Sequence, residues 1–225
     1  MSLPVSLAQL SALVESAVKP ENSKKRKFTQ SVEVSLKLTG VDVSKSGVKI
    51  NELLELPVPG KEAESVKILV ISSGPLGTEA RRLGIPVLAR EDLEKLAGNK
   101  KEIRKLANQY DHFIAEAPMM PLVGRVMGQI LGPRDKMPIA VPPTGSIAST
   151  VERLRRSVRL RLKAQPVVSC KIGNEPMKAD ELASNIQKVL SAVESKLPNG
   201  EKNVDCIIVK TSMGKPAKLK LKSAR

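Results

Sequence analysis

Aromatic, histidine and cysteine side chains are nearly missing from this 225-residue chain: no Trp, one Tyr, two Phe, one His and two Cys. Without aromatic anchors there is no amphipathic helix built to lie in a membrane interface. No stretch approaches the length of apolar residues that spans a bilayer. The first residues, MSLPVSLAQLSALVESAVKP, lack the basic start and apolar block of a secretory signal, so a cytoplasmic location is expected. His112 stands at the start of an apolar strand with no partner constellation for acid–base or nucleophilic chemistry. Cys170 and Cys206 form no CxxC pair and read as reduced, buried thiols, neither a disulfide nor a metal site. The turn Ser73-Gly74-Pro75-Leu76-Gly77 fits neither GxGxxG nor GxxxxGK[ST], and Pro75 removes an amide that a phosphate loop would use. These gaps argue against an enzyme and call for no cofactor and no metal.

What the chain has in excess is positive charge. Lys+Arg number 38 against 23 Asp+Glu, a net +15, and the isoelectric point is near 9.9. An imbalance of that size points to a polyanionic partner, most often nucleic acid. Residues 62–160 carry 16 basic and 11 acidic residues, net +5, and the remainder 22 and 12, net +10. The chain ends therefore hold the stronger claim to the contact surface.

Two breaks organise the chain: Leu56-Pro57-Val58-Pro59-Gly60-Lys61, and Lys163-Ala164-Gln165-Pro166 after a basic helical run. Between them the continuous apolar run VKILVIS at Val66–Ser72 reads as a doubly buried strand. Helices near 78–83, 90–97 and 100–109 and strands at 85–88, around Phe113 and at 139–141 complete a three-layer α/β unit. Outside the breaks, Phe28–Leu38 alternates, with Val32, Val34, Leu36 and Leu38 on one face and Thr29, Ser31, Glu33, Ser35 and Lys37 on the other. Val167–Ile172 and Val204–Lys210 read as further strands. Ala179–Leu197 is an amphipathic helix, and Leu3, Leu7, Leu10, Val14 and Val18 recur at helical spacing near the start. The expected architecture is a split α+β domain, 1–61 plus 161–225, interrupted by an inserted Rossmann-like α/β domain, 62–160. A two-stranded hinge lies near 57–61 and 163–166.

Within the insert, Gly124, Gly128 and Gly132 fall four apart on one helical face. Glycine in a helix interior costs about 1 kcal/mol against alanine, so the spacing predicts close approach of a sheet or another backbone to that face.

The nucleic-acid signals sit at the chain ends. Lys24-Lys25-Arg26-Lys27 runs straight into Phe28 and the alternating strand, offering phosphate affinity without sequence information. The hydroxyls of Thr29 and Ser31 and the Glu33 carboxylate suit ribose hydroxyls or base edges, and an edge strand with a solvated face reads equally well. Phe28 shares the parity of the apolar face, which favours core packing over base stacking. Near the other end, Thr211-Ser212-Met213-Gly214 follows a strand, and Gly214 permits close backbone approach. Lys215, Lys218, Lys220, Lys222 and Arg225 follow, alternating in part with Leu219 and Leu221 as a strand would.

Three segments together resemble one family: KFTQSVEVSLKL at Lys27–Leu38, VGRVMGQILGPRDKMP at 123–138, and VSCKIG at Val168–Gly173 with TSMG at Thr211–Gly214. The chain resembles the large-subunit ribosomal protein L-one family, in its archaeal/eukaryotic-type branch. The resemblance implies the two-domain fold above and binding to large-subunit ribosomal RNA on the mobile stalk beside the exit tRNA site. It also implies proximity to exit-site tRNA, repression of its own messenger RNA as in many members, and a monomer outside the ribosome. By position it assigns Lys27, Phe28, Ser31 and Glu33 as strand contacts, Thr211, Ser212, Met213 and Gly214 as the contacting loop, and Ser169, Lys171 and Gly173 as its neighbour. It thereby moves Phe28 to the RNA edge. Arg125, Arg134 and Lys136 rank as secondary contacts. The family usually has Thr-Met-Gly-Pro where Ser212-Met213-Gly214-Lys215 stands, and Gly in place of Asp135. On residues alone, a nucleotide-binding α/β enzyme and a nonspecific nucleic-acid-binding protein remain alternatives.

Overall fold

The computed structural model describes residues 5–41, 50–60, 65–162 and 165–221. In chain order the elements are α1 (Leu7–Val18), β1 (Ser31–Leu38), β2 (Asn51–Glu55), β3 (Ile68–Ile71), α2 (Pro75–Arg82), β4 (Val87–Leu88), α3 (Arg90–Lys95), α4 (Lys100–Gln109) and β5 (His112–Glu116). They continue as α5 (Met120–Leu131), β6 (Ile139–Val141), α6 (Ile147–Arg156), β7 (Ser157–Arg161), β8 (Val167–Asn174), α7 (Ala179–Glu194), β9 (Val204–Thr211) and β10 (Ala217–Lys220). The chain divides into two compact units, Met1–Lys61 with Arg156–Arg225, and Glu62–Arg155. The second crossing falls at Arg156, ahead of residue 160, because the end of the basic run is not helix. Ser157–Arg161 is a strand that pairs antiparallel with β2, Asn51 opposite Arg161 and Glu55 opposite Ser157. Of the expected hinge, Lys61, Lys163 and Ala164 lie outside the described residues, as do Leu3, Lys222 and Arg225.

The first unit is built on an antiparallel sheet of order β10-β9-β1-β8. β1 is therefore a central strand, and the edge-strand reading of its polar face is corrected. Its alternation works as the period of two demands: Val32, Val34, Leu36 and Leu38 are buried and join α1, α7, β8 and β9 in one core. On α7, Leu182, Ile186, Val189 and Val193 face that core. α1 presents Leu10, Leu13, Val14 and Ala17 and leaves Leu7 exposed, so the stripe turns slightly from the one expected. A capping box at Ser6 and Gln9 starts that helix. Asn185, fully buried, accepts the Val58 amide at 3.1 Å and donates to the Val58 carbonyl at 2.8 Å, fixing the backbone just before the first crossing.

At the last residue of α7, Glu194 Oε1 is buried with no hydrogen-bond partner among the described residues. Burial, and secondarily the Glu201 carboxylate, push its carboxyl up to about 7 from an ordinary 4.5. Between those values the folded form keeps a proton that the unfolded chain has released, so stability falls as pH rises through that window and is flat above it. Glu194→Gln is expected to stabilise the protein at pH 8 by about 1 kcal/mol, after allowance for solvent screening, and to remove that slope in urea titrations between pH 5 and 8. An unchanged slope would refute the assignment.

The second unit has a fully parallel sheet of order β4-β3-β5-β6. Both faces are covered, which is why VKILVIS carries no polar alternation: Leu69, Ile71, Phe113 and Ala115 pack with residues of α3, α4 and α5, and Ile68, Val70 and Ile114 are buried on the other face. α5 contributes Val123, Met127 and Leu131 to this core. Among the described residues nothing presses on its glycine face: a Cβ added at Gly124 or Gly128 would meet nothing within 4 Å, and at Gly132 only the carbonyl of Gly128 in its own helix. The close-approach expectation fails within this fold. The helix closes in a Schellman pattern, with Asp135 N–H on the Gly132 carbonyl and Lys136 N–H on that of Leu131. Asp135 sits there at φ 57°, a left-handed position that accounts for glycine as the usual occupant.

Candidate nucleic-acid interface

The face of the first sheet opposite its core is an ordered array of hydroxyls and charges. Strand register places Glu33 between Lys171 of β8 and Lys210 of β9, and Ser35 between Ser169 and Ile208. Lys218 of β10 extends the second row. The Ser35 and Ser169 hydroxyls are 2.9 Å apart, and Lys210 Nζ lies 3.8 Å from Glu33 Oε2. Lys37 donates to Asp205 at 2.8 Å, a bond that raises its ammonium above the usual lysine range. Dividing the sequence at the observed boundary gives this unit 24 Lys+Arg and 12 Asp+Glu, net +12. Its few acids on this face are thus flanked or paired by lysines, which leaves a positive surface with hydroxyl acceptors and donors set into it.

At one end of β1 a buried polar network shapes the loops. Gln30 is fully buried; it donates to Ser23 Oγ and to the Lys24 carbonyl, each at 3.1 Å, and accepts the Met213 amide at 3.1 Å. Ser23 in turn shares a 2.8 Å hydrogen bond with Thr211 Oγ1. Ser212 ties the turn to the strand: its amide donates to the Ser31 carbonyl at 3.0 Å, and its Oγ accepts the Ser31 amide at 3.2 Å. Gly214 is obligatory, since a Cβ there would lie 2.2 Å from Thr211 Oγ1. The consequence is that two large apolar side chains are held out in solvent beside the network, Phe28 at 56% and Met213 at 60% exposure. A cleft of about 500 Å³ adjoins Phe28, and its lining includes Lys25, Arg26, Lys27, Thr29 and Glu175.

Most sequence-assigned residues gather here. Lys27, Phe28, Ser169 and Met213 are exposed, and Ser31, Glu33, Lys171, Ser212 and Gly214 are half-buried. The parity argument for Phe28 is overturned because β1 begins only at Ser31, so alternation does not extend back to it. Two assignments change character. Thr211 is 0% exposed, its hydroxyl held by Ser23, and acts by positioning the turn. Gly173 is buried where a Cβ would sit 2.5 Å from Met177 Sδ and 2.6 Å from Leu182 Cδ2. In the second unit Arg125 is exposed, Arg134 donates to Asn108 Oδ1, and Lys136 caps α4 through the carbonyls of Ala107 at 2.9 Å and Tyr110 at 2.8 Å. Lys136 is thereby a helix cap, not a free cation. Sequence reasoning missed Gln30, Ser23 and Lys210. Gln30 left a signal: it is the polar residue at the parity of Val32 and Val34, and an amide on a core face needs partners.

Cys170 and Cys206 are both unpaired thiols. Burial pushes the Cys170 thiol up to about 12. Alkylation of Cys170 in the native protein at pH 8 is expected to run at least tenfold slower than in denaturant, since the thiolate is the reactive form; peptide mass mapping reads this directly, and equal rates would contradict it. Among the described residues no helix is long and apolar enough to cross a membrane, and no group of three His, Cys, Asp or Glu could hold a metal.

Comparison with known proteins adds a family. Residues 19–215 match the model of the Ribosomal protein L1p/L10e family. The chain is 45% identical over 199 residues to the large ribosomal subunit protein uL1 of Pyrococcus abyssi, covering 88% of this chain and 90% of that one. It is 44% identical over 221 residues to uL1 of Pyrobaculum calidifontis, covering 98% and 97%. It is 45% identical over 197 residues to uL1 of Cenarchaeum symbiosum, covering 87% and 90%.

Proposed function

The chain belongs to the Ribosomal protein L1p/L10e family, and from that premise we propose that it is a structural constituent of the large ribosomal subunit, binding large-subunit RNA of the mobile stalk through its first unit. The observation that carries this reading is the network anchored on Gln30. It joins the start of β1 to the turn Thr211–Gly214 across the chain and holds Met213 and Phe28 outward beside a lysine-rich face. A rigid turn offering Ser212, backbone edges and a flat row of hydroxyls suits shape and ribose-hydroxyl recognition. The surrounding lysines add salt-sensitive affinity from phosphate contacts. Catalysis has no part in this reading.

The same stalk position extends the proposal to contact with exit-site tRNA. It extends also to repression of the protein's own messenger RNA, provided that message carries a mimic of the ribosomal site. Both follow from family membership and rest on no separate feature of this chain.

The test is a competition titration in which a stalk RNA fragment meets unrelated structured RNA and the DNA version of the fragment at several salt concentrations. The proposal expects the stalk fragment to win by at least a hundredfold at moderate salt. Equal competition by all three would mean that charge acts alone and would refute it. Lys215→Gln with Lys218→Gln should lower all affinities together and flatten the salt slope.

A further inference from the structure

The second unit contains a crevice outside the first-unit surface proposed above for stalk RNA; of its lining, only Arg125 is among the secondary contacts that the resemblance implies. In its sheet the chain runs from β3 outward to β4 and then returns to the other side of β3 for β5. The carboxyl ends of β3 and β5 therefore flank a topological switch point, where open α/β sheets place their ligands. A cleft of about 420 Å³ opens there, within the size range of small-ligand sites. Its lining includes Ser73 and Gly74 after β3, Glu116 at the end of β5, Arg90, and Leu122 and Arg125 from α5.

The donors and acceptors in this cleft select a ligand class. The turn after β3 cannot cradle a phosphate: the Gly74 and Gly77 amides both donate to Ser72 Oγ at 3.1 Å, and Pro75 has none. Ser72 Oγ in turn donates to Glu116 Oε2 at 2.8 Å. Glu116 is only 8% exposed, and among the described residues its Oε1 has no donor. That oxygen is kept open by Gly74, where a Cβ would lie 2.9 Å from it. A nearly buried carboxylate oxygen facing a cleft asks for a ligand with hydrogen-bond donors. Arg125, exposed and without a hydrogen bond or ion pair among the described residues, supplies a planar cation at the same cleft.

We propose that this crevice binds guanine nucleotide, either free or as an unpaired guanine in an RNA strand. Guanine alone among the four bases sets two adjacent donors, N1–H and the exocyclic amine, on its Watson–Crick edge, where Glu116 accepts them. Adenine and cytosine place a ring acceptor beside their amine, and uracil flanks its single N–H with two carbonyls, so each meets the carboxylate with repulsion. The Arg125 guanidinium takes the phosphate or stacks on the base plane. No bond is made or broken, and the crevice is a binding site only.

Equilibrium titration of the full chain with GMP, AMP, CMP and UMP tests this. GMP is expected to saturate the site at least tenfold more tightly than the other three. Glu116→Gln, which keeps an acceptor for Ser72, should remove that preference with at least a tenfold loss for GMP. Arg125→Ala, on an exposed residue that does not threaten folding, should weaken GMP more than guanosine. Comparison with the trinucleotide UGU separates the sources: Glu116-dependent binding tighter than GMP identifies an RNA strand, and binding of GMP alone identifies the free nucleotide. Four mononucleotides binding alike, no saturation by GMP, or GMP binding unchanged in both variants would overturn the proposal.

Discussion

Gly214→Ala is expected to weaken the complex with stalk RNA by roughly a hundredfold, about 2.7 kcal/mol, while changing affinity for unrelated RNA less than twofold. The added Cβ would fall 2.2 Å from Thr211 Oγ1 and 3.1 Å from the Asn22 carbonyl, so the turn cannot keep its path. Three bonds depend on that path: Gly214 N–H to the Thr211 carbonyl at 3.0 Å, Met213 N–H to Gln30 Oε1 at 3.1 Å, and Lys215 N–H to the Asn22 carbonyl at 2.8 Å. Moving the turn displaces Met213 and Ser212 together, which removes shape recognition and leaves the lysines in place. Phosphate affinity depends on charge count and not on this geometry. Titrations of wild type and variant against both RNAs at one salt concentration measure the split, and equal losses on the two would remove the turn from the interface.

The second large effect concerns stability. Gly173→Ala should destabilise the protein by about 2 kcal/mol, the middle of the range for overpacking a core. The new methyl would press on Met177 Sδ at 2.5 Å and Leu182 Cδ2 at 2.6 Å. Met177 is flexible enough to yield, but Leu182 is fully buried in the core under α7. The melting temperature should drop by roughly 4–8 °C at the scale usual for chains of this size. RNA affinity measured well below the transition should change less than threefold, because Gly173 faces the core and not the open sheet. A thermally neutral variant with a large loss of RNA binding would show that Gly173 is a contact after all.

How much could be read from residues alone follows the range of the interactions involved. Period-two alternation located β1 and period 3.6 located α7, because each pattern is complete within one element. α4 and β6 matched to the residue, Lys100–Gln109 and Ile139–Val141. β2 and β7 went unread: NELLE and SVRLR are short, mostly half-exposed, and make sense only as partners across the first and second crossings. Arginines in β7 also continue the basic pattern of α6, so no local cue marks where helix becomes strand. The Gln30 network joins residues up to 188 positions apart, and only the misplaced amide hinted at it. For α5 the pattern was seen and its cause misjudged, since Gly124 and Gly128 face open space.

The most direct test of where RNA sits is lysine-reactivity footprinting of the protein alone and in complex with the stalk fragment, read by mass spectrometry. Lys27, Lys171, Lys210 and Lys218, on the first unit's open sheet face and the segment entering it, should lose most of their reactivity in the complex. Lys100, Lys101 and Lys105, on α4 of the second unit, should react as before. Protection of the α4 lysines with the sheet lysines unchanged would contradict the account and move the principal RNA site to the inserted domain.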